Sequence, residues 1–296
     1  MPVIFLFIDG VGLGEAGPDN PLTDESLKGF SFISGGKPLT KKAAEVHKKN
    51  HIFAPVDATL GVKGLPQSGT GQASLFSGEN ASKLIGKHFG PFPHSGTKPL
   101  LRERSLFKKA QAREKSCMFV NAYPDVFFQR AGKRKRWTCT TLMTKSAGIR
   151  LNTLQDVKAG TAVTADLTQE AWQKKLMLDV PIITPEEAAN RLIKQSVNYD
   201  LLLHEYYLTD KAGHSKQKAK AKKFLGHFDQ FLWKLIRSKP ESVTIVLCSD
   251  HGNIEDLSIK PHTLNKVPLF AYGPGAPAFD SASSILDVTP GILKIL

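Results

Sequence analysis

The chain has 296 residues, 41% hydrophobic and 23% charged, a composition that excludes wholesale disorder and fits a folded soluble protein. No run approaches the roughly 20 apolar residues that span a bilayer, and Met1 to Asp9 lacks the basic n-region of a signal peptide, so a cytoplasmic protein with no membrane partner is expected. The net charge of +13 favours anionic partners.

The charge is uneven. Residues 98–150 hold fourteen Lys or Arg against three Asp or Glu, which predicts one electropositive face. Within it, Lys133-Arg134-Lys135-Arg136 suits nucleic acid, but Trp137 is its only adjacent aromatic, and a solvated surface explains the run equally. Cys117, Cys139 and Cys248 are odd in number and make no C-x-x-C pair, so reduced thiols are expected.

In chain order, Val3 to Ile8 is a continuous apolar run ending in Asp9-Gly10, the pattern of a parallel strand buried on both faces. Gly61 to Gly96 is dense in glycine and proline, which predicts a loop, a helix around Gly71 to Ser77 and a second irregular stretch. Arg102 to Glu114 has helical composition and precedes an apolar strand at Ser116 to Ala122. Residues 123–180 are the least legible, with alternation over Gly148 to Leu167 suggesting strands. Thr184-Pro185-Glu186-Glu187 combines an N-cap, an N1 proline and early acids, and starts a helix running to Gln195. A strand at Asp200 to Tyr207, a helix at Gln217 to Arg237, strands at Val243 to Cys248 and Val267 to Tyr272, and a short final helix within Ile285 to Leu296 follow. Alternating strands and helices predict an α/β fold. With no internal repeat or low-complexity linker, one domain over residues 1–296 is expected, elaborated at about 86–180.

In open α/β sheets ligands gather beyond the carboxyl ends of strands, and here those positions hold metal-binding residue types. Asp9 ends the first strand, Asp210 and His214 follow the strand at Asp200 to Tyr207, Asp250 and His251 follow Val246 to Ser249, and His262 closes the set. Singly, each is better explained as a loop cap or a hydrogen-bonded surface residue. Together they are what a divalent cation needs, carboxylates and imidazoles converging from different strands. Asp250 and His251 are adjacent, and in a loop they can serve two neighbouring ions or one ion from two sides.

Four blocks in order resemble the metalloenzymes of the alkaline phosphatase superfamily, nearest the branch of cofactor-independent phosphoglycerate mutase and phosphopentomutase. They are Phe7 to Gly12, Pro66-Gln67-Ser68-Gly69-Thr70-Gly71-Gln72, Thr209 to His214, and Ser249-Asp250-His251-Gly252-Asn253 with His262 to Pro268. The resemblance implies a three-layer αβα fold with a mostly parallel central sheet and two divalent ions, zinc or manganese. Asp210, His214 and His262 would hold one ion; Asp9, Asp250, His251 and the Ser68 oxygen would hold the other. It also implies that Ser68, which starts a helix ten residues before Gly78, is the nucleophile, with Thr70 as the competitor. The expected reaction passes through a phosphoserine, favoured by a cation-lowered hydroxyl pKa and the positive end of the helix.

The mutases of this branch insert a large cap between the nucleophile block and the first-metal block, because the phosphoenzyme must be kept from water. Residues 79–200 leave too little chain for a full cap, and Gln72 stands where those mutases resemble one another in carrying His. Hydrolysis of a phosphomonoester or phosphodiester is therefore expected, with a phosphosugar or phosphoglycerate mutase as the alternative. Contacts to a phosphorylated small molecule are expected from Asn20, Thr70, Gln72, His88 in the segment Gly86 to His94, and Arg102 or Arg104. His204, Glu205 and Tyr206 are expected to support the metal ligands without ligating.

Overall fold

Side-chain alternation along the first strand decides the layers. In β1 (Val3–Ile8), Val3, Phe5 and Phe7 belong to one apolar cluster and Ile4, Leu6 and Ile8 to another, and all six are buried. Such a strand needs a helical layer on each side. A computed structural model describes residues 1–134 and 136–296 and supplies both layers.

After β1 come α1 (Lys28–Ile33), β2 (Val46–Lys48), β3 (His51–Val56), α2 (Ser68–Ser77), α3 (Ala81–Ile85), α4 (Lys98–Glu103) and α5 (Leu106–Gln111). Next are β4 (Cys117–Phe119), α6 (Asp125–Arg134), α7 (Cys139–Ser146), α8 (Leu154–Lys158), α9 (Glu170–Leu176) and α10 (Pro185–Gln195). The chain continues through β5 (Leu201–Tyr206), α11 (Leu208–Ser215), α12 (Lys218–Ser238), β6 (Thr244–Cys248), β7 (Val267–Tyr272) and α13 (Val288–Ile295).

Among the described residues the sheet runs β2-β3-β7-β6-β1-β5-β4. β6, β1, β5 and β4 are parallel, and β7, β3 and β2 extend the sheet antiparallel. Phe5 pairs with Leu203 on one side and Val246 on the other, so the carboxyl ends of β1, β5 and β6 lie abreast. Ligands of α/β sheets bind beyond such carboxyl ends. Pro55 and Pro268 face each other in the β3–β7 ladder. The outer partners stop at Phe53 and Leu269, so neither missing N–H breaks a bond.

One face packs Phe5 and Phe7 edge-on to Phe76 of α2, at centroid distances of 6.2 and 5.3 Å. The other packs Tyr206 on Phe228 of α12, at 4.9 Å. α10 begins where its cap residues predict: Thr184 Oγ1 accepts the Glu187 N–H, and the Glu187 carboxylate accepts the Thr184 N–H at 2.7 Å.

Several expectations change. The hairpin β2–β3 was not foreseen. The helix expected over Arg102 to Glu114 is two helices, because Ser105 caps the start of α5. The strand expected over Ser116 to Ala122 is shorter, and Gly148 to Leu167 forms α8 and loops instead of strands. There the Asp156 carboxylate accepts the Thr153 N–H at 2.7 Å in a capping box, which nucleates helix. Isolated bridges, Asn121 to Val163 and Ala122 to Asn152, join this segment to the chain just after β4. The nucleic-acid expectation on Lys133 to Arg136 lies partly outside the described residues, at Lys135. No helix among the described residues is long and apolar enough to cross a membrane.

Phe76 is fully buried against both aromatic residues of β1. Phe76→Ala should cost about 3–5 kcal/mol of stability, read from the midpoint of urea unfolding at unchanged slope.

Candidate metal centre

The three parallel strands deliver the chemistry. Asp9 is the residue after β1, and Asp250 and His251 follow β6 by two and three residues. Asp210 and His214 lie one turn apart on α11, which puts both on one helix face, Nε2 to Oδ2 3.4 Å. His262 arrives from the loop before β7, its Nε2 3.5 Å from Asp210 Oδ1 and 3.1 Å from His214 Nε2. His251 Nε2 lies 3.3 Å from Asp9 Oδ1, 3.6 Å from Asp250 Oδ2 and 3.0 Å from Ser68 Oγ. Two sets of three ligand atoms each fall within 4.8 Å of one another: Asp9, Asp250 and His251, and Asp210, His251 and His262. His251 is common to both, and its ring stacks on His262 at 3.7 Å.

The donor set fits divalent cations. His251, His262 and His214 each direct Nδ1 at a backbone carbonyl, of Gly252, Pro66 and Lys260. A carbonyl only accepts, so Nδ1 carries the proton and Nε2 presents its lone pair to the centre. Two Nε2 lone pairs 3.1 Å apart repel unless a proton or cation lies between them. Asp9 Oδ1 and both carboxylate oxygens of Asp250 are buried without a hydrogen-bond partner among the described residues, an arrangement costly for an anion unless a cation meets it.

The electrostatics agree. Burial, with the charges of Asp250 and Asp210, pushes the Asp9 carboxyl up to about 8, and burial raises Asp250 against the opposing pull of His251. Burial alone would lower His251, but the carboxylates of Asp250, Asp9 and Asp210 push it up to about 10. At Asp210 burial is outweighed by the His262 hydrogen bond, the His251 charge and the Asn253 amide, and the carboxyl falls to about 2. Protons crowd onto this cluster for the reason that cations would.

Ser68 opens α2, all ten residues of which are buried. A Cβ on Gly71 would sit 2.9 Å from the Asp250 carbonyl oxygen; glycine there lets α2 lie against the loop after β6. Thr70 is spent on structure: its hydroxyl donates to Gln67 O and accepts the Phe89 N–H, and its own N–H donates to Phe89 O. Ser68 faces the cluster, whereas the Thr70 amide is not free for a ligand.

The other expected contacts divide. Gln72 donates to Asp9 Oδ2 at 3.3 Å and, with Ser68, lines a cavity of about 820 Å³. Asn20 caps its own turn through Leu22 N–H and donates to Glu15 O, away from that cavity. His88 bonds Ser82 and Val62 O, and Arg104 pairs with Glu79 at 2.7 Å; neither lines it. Arg102 lines a separate cavity. On β5, alternation turns Glu205 to the site and sends His204 against Phe231 and Tyr206 against Phe228. Glu205 accepts from Thr140 at 2.8 Å, and burial and Asp9 raise it to about 8.

Glu255 escaped the sequence reading, since an acid after Asn253-Ile254 looks like a surface residue. It is 2% exposed and accepts from the N–H groups of Gly12 (2.9 Å) and Asn253 (2.7 Å), from Asn265 Nδ2 (3.1 Å) and from Thr263 Oγ1. It thereby ties the loops after β1 and β6 to the approach of His262, and Asn253 in turn donates to Asp210 Oδ1 at 2.6 Å. Glu255→Gln turns one acceptor into a donor facing donors, and should weaken metal retention roughly 10- to 100-fold, measured by metal analysis after dialysis against graded chelator.

Residues 181–296 match the family model of the Metalloenzyme superfamily. No curated protein matches the chain. Solved structures similar along its length include alkaline phosphatase from the Antarctic bacterium TAB5, at 15% identity over 99% of this chain and 97% of that one, TM-score 0.60. A cold-active alkaline phosphatase from a psychrophilic Shewanella sp. aligns at 13% identity over 100% of both chains, TM-score 0.59. The lipoteichoic acid synthase LtaP from Listeria monocytogenes aligns at 11% over 100% of this chain and 71% of that one, TM-score 0.54. At such identities the likeness is one of fold, and it spans the chain. The protein is thus built on the alkaline phosphatase fold, and its C-terminal part, residues 181–296, is similar in sequence to the Metalloenzyme superfamily.

Proposed function

We propose that the chain is a divalent-metal-dependent phosphohydrolase acting on a phosphomonoester or phosphodiester, with Ser68 as nucleophile. The observation that carries this is the Ser68 hydroxyl 3.0 Å from His251 Nε2, the atom common to both ligand sets. Asp210, His214 and His262 would hold one ion, and Asp9, Asp250, His251 and Ser68 the other. Zinc or manganese suits these mixed carboxylate and imidazole sets, and the Mg bound by a variant of TAB5 alkaline phosphatase supports a divalent cation. Bound, such cations supply positive charge that lowers the pKa of a nearby hydroxyl and offsets charge on phosphoryl oxygens.

The chain's own residues do the rest. α2 points its positive end toward a phosphate bound at Ser68. Ser68 Oγ gives up its proton and forms a bond to phosphorus as the ester bond breaks, and the leaving alkoxide takes up a proton and departs as the alcohol; water then adds to phosphorus, its proton returns to Ser68 Oγ, and phosphate is released from a monoester or the remaining monoester from a diester. Gln72 fixes the Asp9 carboxylate beside the serine. The cavity beyond is walled by Phe92, Tyr123, Phe127 and Trp172 and rimmed by Lys175, Lys211 and Lys220, which suits an alcohol with a flat or apolar body. It leads outward from the serine between α9 and the 121–127 segment, a route for water. Nothing in its lining favours the mutase alternative.

Protein loaded with manganese or zinc should release p-nitrophenol from p-nitrophenyl phosphate or its diester. EDTA should abolish this and added metal restore it. Ser68→Ala should lower kcat at least roughly a thousandfold; an unimpaired variant would remove Ser68 from the mechanism.

A further inference from the structure

A second cavity, of about 290 Å³, lies on the far side of Phe92 from the metal centre. Lys98 and Arg102 of α4 and Arg136 line it with His94, and its walls are Phe89, Phe92 and Trp137. No carboxylate lines it. Among the described residues none of the three cations has a carboxylate within ion-pairing distance, whereas the neighbouring Arg104, Lys109 and Lys115 take Glu79 and Asp200. Arg136 is held in place, its guanidinium 4.0 Å over the Phe92 ring. Like charges gathered at one concavity repel, and long side chains on an open surface would spread apart. Here one helix, α4, presents Lys98 and Arg102 together, and a cation–π contact holds Arg136 beside them.

We propose that this cavity is an oxyanion-binding site, distinct from the metal centre, that takes one phosphate or carboxylate group. Arg102 and Arg136 supply planar donors suited to two oxygens at once, and Lys98 supplies a point charge. The volume accepts one such group with a small attachment and no extended polyanion. The site is mechanically joined to the serine. Residues 89–92, which wall it, are stitched to the first turn of α2: the Thr70 N–H donates to Phe89 O at 2.8 Å and the Phe89 N–H to Thr70 Oγ1 at 3.1 Å. A Cβ on Gly69 would collide with the carbonyl oxygens of Phe89 and Phe92. An anion in the cavity therefore sits one side-chain thickness from the nucleophile helix. It is either a second phosphate of the substrate or a free anion; the first source alone rests on the phosphohydrolase reading.

Inorganic phosphate binding to the metal-loaded full chain, measured by calorimetry, separates the possibilities. The native protein should show a salt-sensitive class of sites that Arg102→Gln/Arg136→Gln weakens roughly tenfold or more, and that Arg104→Gln, outside the cavity, leaves unchanged. Equal phosphate binding by the double variant and the native protein, with the same melting temperature, would overturn the site whatever the enzyme does. Given the site, KM divides its sources. A tenfold rise for a bisphosphorylated sugar with none for p-nitrophenyl phosphate assigns it to the substrate; weaker phosphate binding with both KM values unmoved assigns it to a free anion. Native protein that binds phosphate at this site but shows no metal-dependent hydrolysis would count against the phosphohydrolase reading alone and leave the site standing.

Discussion

Three carboxylates and three imidazoles share a space that water reaches only at its Asp210 and His214 margin. Asp9, Asp250 and His251 are buried, and Asp250 offers two oxygens to which no donor is turned. An isolated ionised carboxylate taken out of water costs several kcal/mol even after relaxation, so the arrangement is stable only where protons or cations neutralise it. The surrounding architecture serves that constraint. The parallel register of β5, β1 and β6 sets the strand ends level, Ser249 and Thr209 pin the intervening loops to one another, and Glu255 gathers three chain segments around itself. Removal of any one tie would let the charges spread, which is what they would do unaided.

The basic excess of residues 98–150 also resolves into separate roles. Arg104, Lys109, Lys115 and Arg150 are answered by acids, and Lys145 rides on Trp137. Lys98, Arg102 and Arg136 are left to one concavity. A net charge computed over the segment merges these, because sequence distance does not show which acid folds back on which base.

What was legible in the sequence followed from simple physics. β1, β5, β6 and β7 are apolar runs because they are buried on both faces, and polar residues stand at or just beyond the carboxyl ends of the first three. α10 announces itself because its cap bonds are local, made within Thr184 to Glu187. The convergence of charged residues from the strand ends was readable from their places in the sequence, since each follows a core strand. Features that depend on distant contacts stayed hidden. Glu255 looks like any surface acid until Gly12 and Asn265 are brought to it. His204 and Glu205 are neighbours in sequence and opposites in space, Asn20 satisfies the backbone of its own turn, and His88 is taken up by the Ser82 hydroxyl and the Val62 carbonyl. The hairpin β2–β3 carries His47, Lys48 and Pro55, which suit a sheet margin but dilute a strand signal.

Both outermost strands of the sheet, β2 and β4, are only three residues long. An unpaired strand edge is a template on which another molecule can add its own backbone, and its hazard grows with its length. Here each margin exposes so few N–H and C=O groups that intermolecular β-pairing finds no purchase, and the positive charge at Lys48 discourages it further. A fold with a largely apolar sheet at its middle thus ends in margins too brief to seed fibres or sheet-to-sheet dimers.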